Sequence, residues 1–366
     1  MKFTISREAL LKPLNQVIGV VERRQTLPVL SNLLVAAGKN ELTFTGTDLE
    51  VEMVARLNTK VGQEGEITVP ARKLYDICRA LPEEAEISVS AESNRATLKA
   101  GRSRFTLATL PADEFPVIED VEVGESVTLD QQALRELIER TAFAMAHQDV
   151  RYYLNGLLVE LAENRVRTVA TDGHRLAVCD LETDVDVKET RQIIVPRKGI
   201  MELQRLLDGE DDQVTLELGK NHVRVRRDDA VFTSKLIDGR FPDYQAVIPS
   251  EDGHRLSADR SALREALQRA SILSSEKVRG VKLELKGDTL TIIAHNPEQE
   301  EAVEELEVEY GGEALSVGFN VQYLQEALAG LEGERVMIFL RDANSSCLIR
   351  EPESERCRHV VMPLRL

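Results

Sequence analysis

The same short blocks recur three times along this 366-residue chain, in one order and at near-constant spacing. FTISREALLKPL, VTLDQQALRELI and LSADRSALREAL begin at Phe3, Val127 and Leu256; within them Ala9, Ala133 and Ala262 stand 124 and 129 residues apart. LTFTGTD, VRTVATD and LTIIAHN begin at Leu42, Val166 and Leu290, at spacings of 124 and 124. VPARKLYDICRAL, VPRKGIMELQRLL and GFNVQYLQEALAGL begin at Val69, Val195 and Gly318. The first two copies close on FTLATLPADEFP from Phe105 and FTSKLIDGRFPDY from Phe232, and the third stops earlier, at VVMPLRL. One block alone would be weak; three in register imply three homologous domains. The expected boundaries are 1–122, 126–248 and 250–366, at the acidic stretch 119–126 and the polar stretch 249–255.

Each copy has a readable anatomy. A short strand leads into a helix whose N-cap is Ser6, Asp130 or Asp259, residues whose side chains accept orphan backbone N–H bonds. Leu134, Leu137, Ile138 and Met145, and Leu263, Ala266, Leu267 and Ala270, fall on one helical face. Pro13 stands where the second copy has Leu137, so the first helix is expected to kink. Alternating strands follow, such as 42–47 and 166–171. A second helix then starts at Pro70 or Pro196, where the missing N–H does no harm. Further strands, such as 213–219 and 335–342, complete the copy. The fold class is therefore α+β, two helices per domain on antiparallel sheet. The spacing predicts helices over 7–24, 71–81, 131–151, 197–208, 260–279 and 320–330.

Several function classes are excluded at once. No stretch approaches the ~20 apolar residues of a membrane span, and MKFTISREALLKPLNQ lacks the apolar core of a secretory signal. Cys78, Cys179, Cys347 and Cys357 lie far apart with no CxxC, which predicts incidental thiols in a reducing, cytoplasmic protein. No GxxxxGK[ST] or GxGxxG supports nucleotide binding. Asp172 and His174 could orient an imidazole or bind a metal, but no third ligand or nucleophile accompanies them. No catalytic residue, metal or cofactor is expected.

Net charge is −17, which taken alone argues against nucleic acid. That charge is segregated, however. The six predicted helices together carry +7, leaving −24 on sheets and loops. If the helices line one surface, that surface can face phosphate while the exterior repels it. Helices also favour Lys and Arg for reasons unrelated to DNA.

The repeat, MAHQDVRYYLNG at 145–156, TDGHRLAV at 171–178, DGRFPDY at 238–244, NPEQEEA at 296–302 and the terminal VMPLRL resemble the bacterial DNA polymerase III beta subunit family, the replicative sliding clamps. The resemblance spans the whole chain. Departures are small: Leu364 stands where Met is often found, His295–Asn296 replaces the Thr–Asp of the first two copies, and Ala246 and Val278 are less bulky or basic than expected. The resemblance implies a non-catalytic, head-to-tail homodimeric ring that encircles duplex DNA without reading its sequence and tethers the replicative polymerase. Geometry agrees: six helices of roughly 10 Å in a closed ring leave a hole of about 9 Å, twelve leave about 28 Å, and B-DNA is about 20 Å across.

By the same resemblance, DNA is expected at Arg24, Arg72, Arg79, Gln148, Tyr152, Tyr153, Arg197, Lys198, Arg205, Lys277 and Arg279. Ring closure is expected to join Lys73, Ile77, Arg102, Arg104, Phe105 and Leu107 to Ile272, Leu273, Glu298, Glu300 and Glu304, basic edge to acidic edge. A hydrophobic groove between the second and third domains is expected from Leu154, Thr171, Gly173, His174, Arg175, Leu176, Pro242 and Val247, completed by Asn320, Tyr323, Ser346, Val360, Val361, Met362, Pro363, Leu364 and Arg365. It would take short peptides of the polymerase alpha subunit, the clamp loader delta subunit, and repair and translesion polymerases. A three-repeat protein scaffold that does not encircle DNA is the competing reading.

Overall fold

The computed structural model describes every residue except 23–26, 93, 119–122, 186, 188, 210–211, 276, 278 and 366. Its helices are α1 (Arg7–Val17), α2 (Ala71–Ala80), α3 (Gln131–Glu139), α4 (Arg197–Leu206), α5 (Arg260–Ser271) and α6 (Val321–Ala329). The three expected caps form. Ser6, Asp130 and Asp259 accept the amides of Ala9, Ala133 and Ala262 at 3.3, 3.0 and 2.7 Å.

Three helices end earlier than their apolar periodicity suggests. α1 continues through Pro13 and stops at Val17, just before Gly19. After α3, the Thr141 hydroxyl donates to the Leu137 carbonyl at 2.7 Å and the chain passes into a 3-10 turn, Ala142–Ala144. At the end of α5, the Ser271 and Ser274 hydroxyls donate to the Gln268 and Ser271 carbonyls. Short hydroxyl side chains compete for these carbonyls, which periodicity does not register. The six helices as formed still carry +5 of a net −17.

The strands assemble into four antiparallel sheets. Two compact units result: 1–134 with 198–236, and 135–197 with 237–366. The first unit holds a five-stranded and an eight-stranded sheet. The five-stranded sheet runs Val61–Gln63, Lys2–Ser6, Glu86–Glu92, Arg95–Ala100, Ser103–Ala108. In the eight-stranded sheet Ala230–Lys235, from the second repeat, pairs with Val51–Asn58, from the first, Phe232 opposite Met53.

The second unit holds a four-stranded and a nine-stranded sheet. The four-stranded sheet runs Glu301–Glu307, Thr289–His295, Gly280–Lys286, Leu315–Asn320. In the nine-stranded sheet Arg175–Glu182, from the second repeat, pairs with Ser354–Val361, from the third, Leu176 opposite Val360. Sheets are thus shared between repeats, and the compact units do not follow the repeat period. Burial of Leu158, Val169, Val178, Ile194, Phe241, Met337, Phe339 and Leu348 makes one core beneath that second junction.

The expectation of four incidental thiols is overturned. Cys179 and Cys357, 178 residues apart, face each other across the shared sheet and form a disulfide with Cα atoms 4.2 Å apart. Strand register between repeats creates the pair, and sequence spacing carries no sign of it. Cys78 and Cys347 are free and buried, and burial pushes both thiols up to about 12. Among the described residues no helix is long and apolar enough to cross a membrane.

His359 lies on the buried face of Ser354–Val361, 1% exposed, its ring 5.5 Å from that of Phe143. Burial pulls its pKa down to about 4. The unfolded chain therefore binds a proton below about pH 6.5 that the native protein refuses until about 4, and stability falls across that window on acidification. The contribution is on the order of 3 kcal/mol. Denaturant unfolding of His359→Leu and the parent, compared between pH 7 and 4.5, is expected to show a shallower acid loss in the variant.

Candidate functional site

A cavity of about 440 Å³ opens in the second compact unit. Leu154, Leu176, Val360, Pro242, Val247 and Met362 give it an apolar lining, with Thr171, Gly173, Arg175 and Ser346 beside them. All ten were expected from sequence. Leu176 and Val360 meet there because they are register partners across the shared sheet.

The TDGHR segment shapes one wall as a turn. Asp172 Oδ1 accepts the amides of His174 and Arg175 at 2.9 and 3.1 Å, and the Thr171 hydroxyl donates to the Arg175 carbonyl at 2.6 Å. Gly173 has φ +87°, and a Cβ there would sit 2.9 Å from the Arg151 guanidinium. Asp172 is therefore committed to backbone and to Arg175, whose Nε donates to its Oδ2 at 3.1 Å. Among the described residues no group of three or more His, Cys, Asp or Glu could hold a metal.

Arg175 is the most heavily engaged lining residue. Besides Asp172 it pairs with Glu326, donates to the Phe143 carbonyl at 2.7 Å and lies 4.3 Å from the Tyr323 ring centroid. Burial, then Asp172, raises the Tyr323 phenol above its ordinary value.

Arg151, Asp243 and Tyr244 also line the cavity and were not foreseen. The motifs MAHQDVRYYLNG and DGRFPDY contained them, but nothing in those motifs said which side chains turn inward. The Tyr244 hydroxyl accepts from Arg167 Nη1 at 3.0 Å, and Arg167 is itself clasped by both Asp180 oxygens at 2.5 and 2.8 Å. The Arg151 side chain and amide hold the Asp149 carboxyl down at about 2.

Seven expected residues stand outside this lining. Asn320 caps α6, accepting the Gln322 amide at 2.9 Å, and Tyr323 lies beneath Arg175. Val361 is buried opposite Arg175, the His174 carbonyl accepts the Met362 amide at 2.9 Å, and the Leu364 amide donates to Gly318 at 2.7 Å. Pro363 is half-buried and Arg365 exposed. The bonds of Val361, Met362 and Leu364 to Arg175, His174 and Gly318 tie down the terminal segment.

The expected DNA-contact residues separate into two groups, with Lys277 and Arg279 falling beyond the end of α5. Arg79, Arg205, Lys277 and Arg279 are exposed, as are Gln148 and Tyr152, and Tyr153 is half-buried. Arg72 and Arg197 are half-buried and donate to the Val21 and Met145 carbonyls. Lys198 is held by Asp48 and, at 2.5 Å, by Glu22. Burial pulls its pKa down, but the two carboxylates outweigh this and keep it above the ordinary lysine value. Arg24 lies outside the described residues.

Two of the strands that end their sheets carry expected ring-closure residues. Ser103–Ala108 ends the five-stranded sheet, with Arg102 and Arg104 exposed, Phe105 half-buried and Leu107 buried; Lys73 and Ile77 lie on α2. Glu301–Glu307 ends the four-stranded sheet, with Glu298 and Glu300 exposed just before it; Ile272 is 76% exposed, and Leu273 and Glu304 are half-buried.

Models of the DNA polymerase III beta subunit match the chain in three successive parts: the N-terminal domain at residues 1–119, the central domain at 128–243 and the C-terminal domain at 245–365. The chain belongs to that family. It is 53% identical to the beta sliding clamp of Pseudomonas putida, covering all of both chains. A crystal structure of the Pseudomonas aeruginosa sliding clamp with ligand superposes at a TM-score of 0.96, with 52% identity and full coverage of both chains. Another from that organism, bound to griselimycin, superposes at 0.97, again with 52% identity and full coverage of both chains. The function is that of the sliding clamp of DNA polymerase III, a processivity subunit with no catalysis of its own. Sliding clamps bind DNA and polymerases.

In this clamp Lys198 separates two roles that sequence could not. Asp48 has a side chain only 5% exposed. Lys198→Met is expected to lower unfolding free energy by about 2 kcal/mol by leaving that carboxylate unpaired. Arg79→Gln, at an exposed position, is expected to stay within about 0.5 kcal/mol of the parent. Denaturant melts of the two variants check this without DNA.

Proposed function

We propose that two copies of this clamp close head-to-tail into a ring around duplex DNA. Three domains per copy, 1–122, 126–248 and 250–366, would supply twelve helices. Bases on and beside the helices would meet phosphates without reading bases, which permits sliding. The exposed Arg79, Arg205, Lys277 and Arg279, with Gln148, Tyr152 and Tyr153, suit that contact best. Arg24, Arg72, Arg197 and Lys198 complete the proposed set, and Lys198 would have to leave its carboxylates. The ring would work in the cytoplasm.

The observation that carries ring closure is this pair of sheet-ending strands with opposite charge. An unpaired edge is a template for another chain, and complementary charge selects head-to-tail over head-to-head pairing. Arg102, Arg104, Phe105 and Leu107, with Lys73 and Ile77, would meet Ile272, Leu273, Glu298, Glu300 and Glu304 of the second copy.

The groove would recruit the polymerase alpha subunit, the clamp loader delta subunit, and repair and translesion polymerases through short peptides with apolar anchors. Met362 suits varied ligands, being flexible and polarisable. His174, Asn320, Tyr323, Val361, Pro363, Leu364 and Arg365 would support its walls. We further propose that the groove takes griselimycin, the peptide-like ligand bound to the Pseudomonas aeruginosa clamp.

Ile272→Asp tests closure. The residue is exposed in the single chain, so the variant should fold and melt like the parent. In sedimentation velocity the parent is expected as a dimer and the variant as a monomer. A monomeric parent, or a variant that remains dimeric, contradicts the proposal.

A further inference from the structure

Arg175 is an unusual wall for an apolar groove, and its fixed position needs a physical cause. Its side chain is 10% exposed and carries a full charge. Three of its N–H groups are spoken for: Nε by Asp172, Nη2 by the Phe143 carbonyl and Nη1 by Glu326. Its guanidinium lies over Tyr323 on one side and 5.5 Å from the Phe143 ring centroid. Asp172 and Phe143 hold it from the second repeat, whereas Tyr323 and Glu326 hold it from α6.

Glu326 does not line the cavity. It is nonetheless the second carboxylate on this guanidinium, and it is itself anchored. Its other oxygen accepts Gln322 Nε2 at 2.7 Å, one helical turn earlier on α6. A long arginine side chain loses much rotamer freedom when ordered. If that ordering is complete before a ligand arrives, the ligand does not bear the cost. Three acceptors in three directions match the planar fork of a guanidinium, and an ammonium cannot satisfy them together.

We propose that Glu326 is a positioning residue for the groove. It docks the Arg175 guanidinium on Tyr323, so that the arginine stem stands as a fixed wall against which a ligand's apolar anchor seats. This rests on the groove reading given above, and the experiment separates the two.

The probe is griselimycin, titrated calorimetrically into the full-length clamp and its variants. Met362→Asp places a charge in the lining and is expected to abolish binding. Glu326→Ala is expected to weaken binding about tenfold, and Glu326→Gln, which still offers an acceptor, to recover most of it. Arg175→Ala is expected to weaken binding as well, and adding Glu326→Ala to it should cost nothing more, because Glu326 acts only through Arg175. Arg175→Lys keeps charge and stem, leaves α6 untouched and is expected to reproduce the loss should Glu326→Ala fail to fold. Binding by Glu326→Ala within twofold of the parent, failure of glutamine to rescue, additive losses in the double variant, or unchanged binding by Arg175→Lys each overturns the proposal, with the groove reading intact if Met362→Asp is inert. A parent that does not bind, or a Met362→Asp variant that binds as the parent does, overturns the groove reading and the positioning role with it.

Discussion

Strand pairing between repeats is the interaction on which the rest of the molecule depends. Ala230–Lys235 continues a sheet begun by the first repeat, and Arg175–Glu182 continues into one completed by the third. An open sheet edge is unstable alone and invites another strand. Here homologous neighbours supply that strand, so each junction is hydrogen-bonded backbone rather than a flexible linker. Register then decides chemistry. With Leu176 opposite Val360 the two side chains share one face of the sheet and become groove lining, while Cys179 opposite Cys357 becomes a disulfide. A slip of one residue would turn each of these side chains to the other face.

Charge is arranged on the same frame. The chain is acidic overall, yet its six helices are net basic. Several bases are neutralised at home: Lys198 by Asp48 and Glu22, Arg175 by Asp172 and Glu326, Arg167 by Asp180. Such pairs fix geometry more than they add stability, because desolvation offsets much of the attraction. The bases left exposed on or beside helices are a smaller set than the sequence offers, and these suit phosphate contact.

Much of this was legible in the sequence. The repeat blocks announced three copies, and the caps Ser6, Asp130 and Asp259 each took the bond their residue type favours. Seven of the ten expected lining residues of the cavity lay in motifs that mark the family; Val247, Ser346 and Val360 lay outside them. What was not legible depended on long-range register and on side-chain direction. Cys179 and Cys357 are 178 residues apart. Asp48 and Lys198 come together across two repeats. Tyr244 faces the cavity because Arg167 holds its hydroxyl, and that bond has no local signature. Helix ends at Thr141 and Ser271 depend on hydroxyl bonds that apolar periodicity ignores.

The central claim is topological: the clamp stays on DNA by enclosing it. The direct test is retention on nicked circular duplex against linear duplex of the same length, by gel filtration after loading with a clamp loader and ATP. The account predicts that the clamp stays on circles and runs off linear ends, with retention on circles little affected by moderate salt. Equal retention on both forms with steep salt dependence, or none on either, would contradict it.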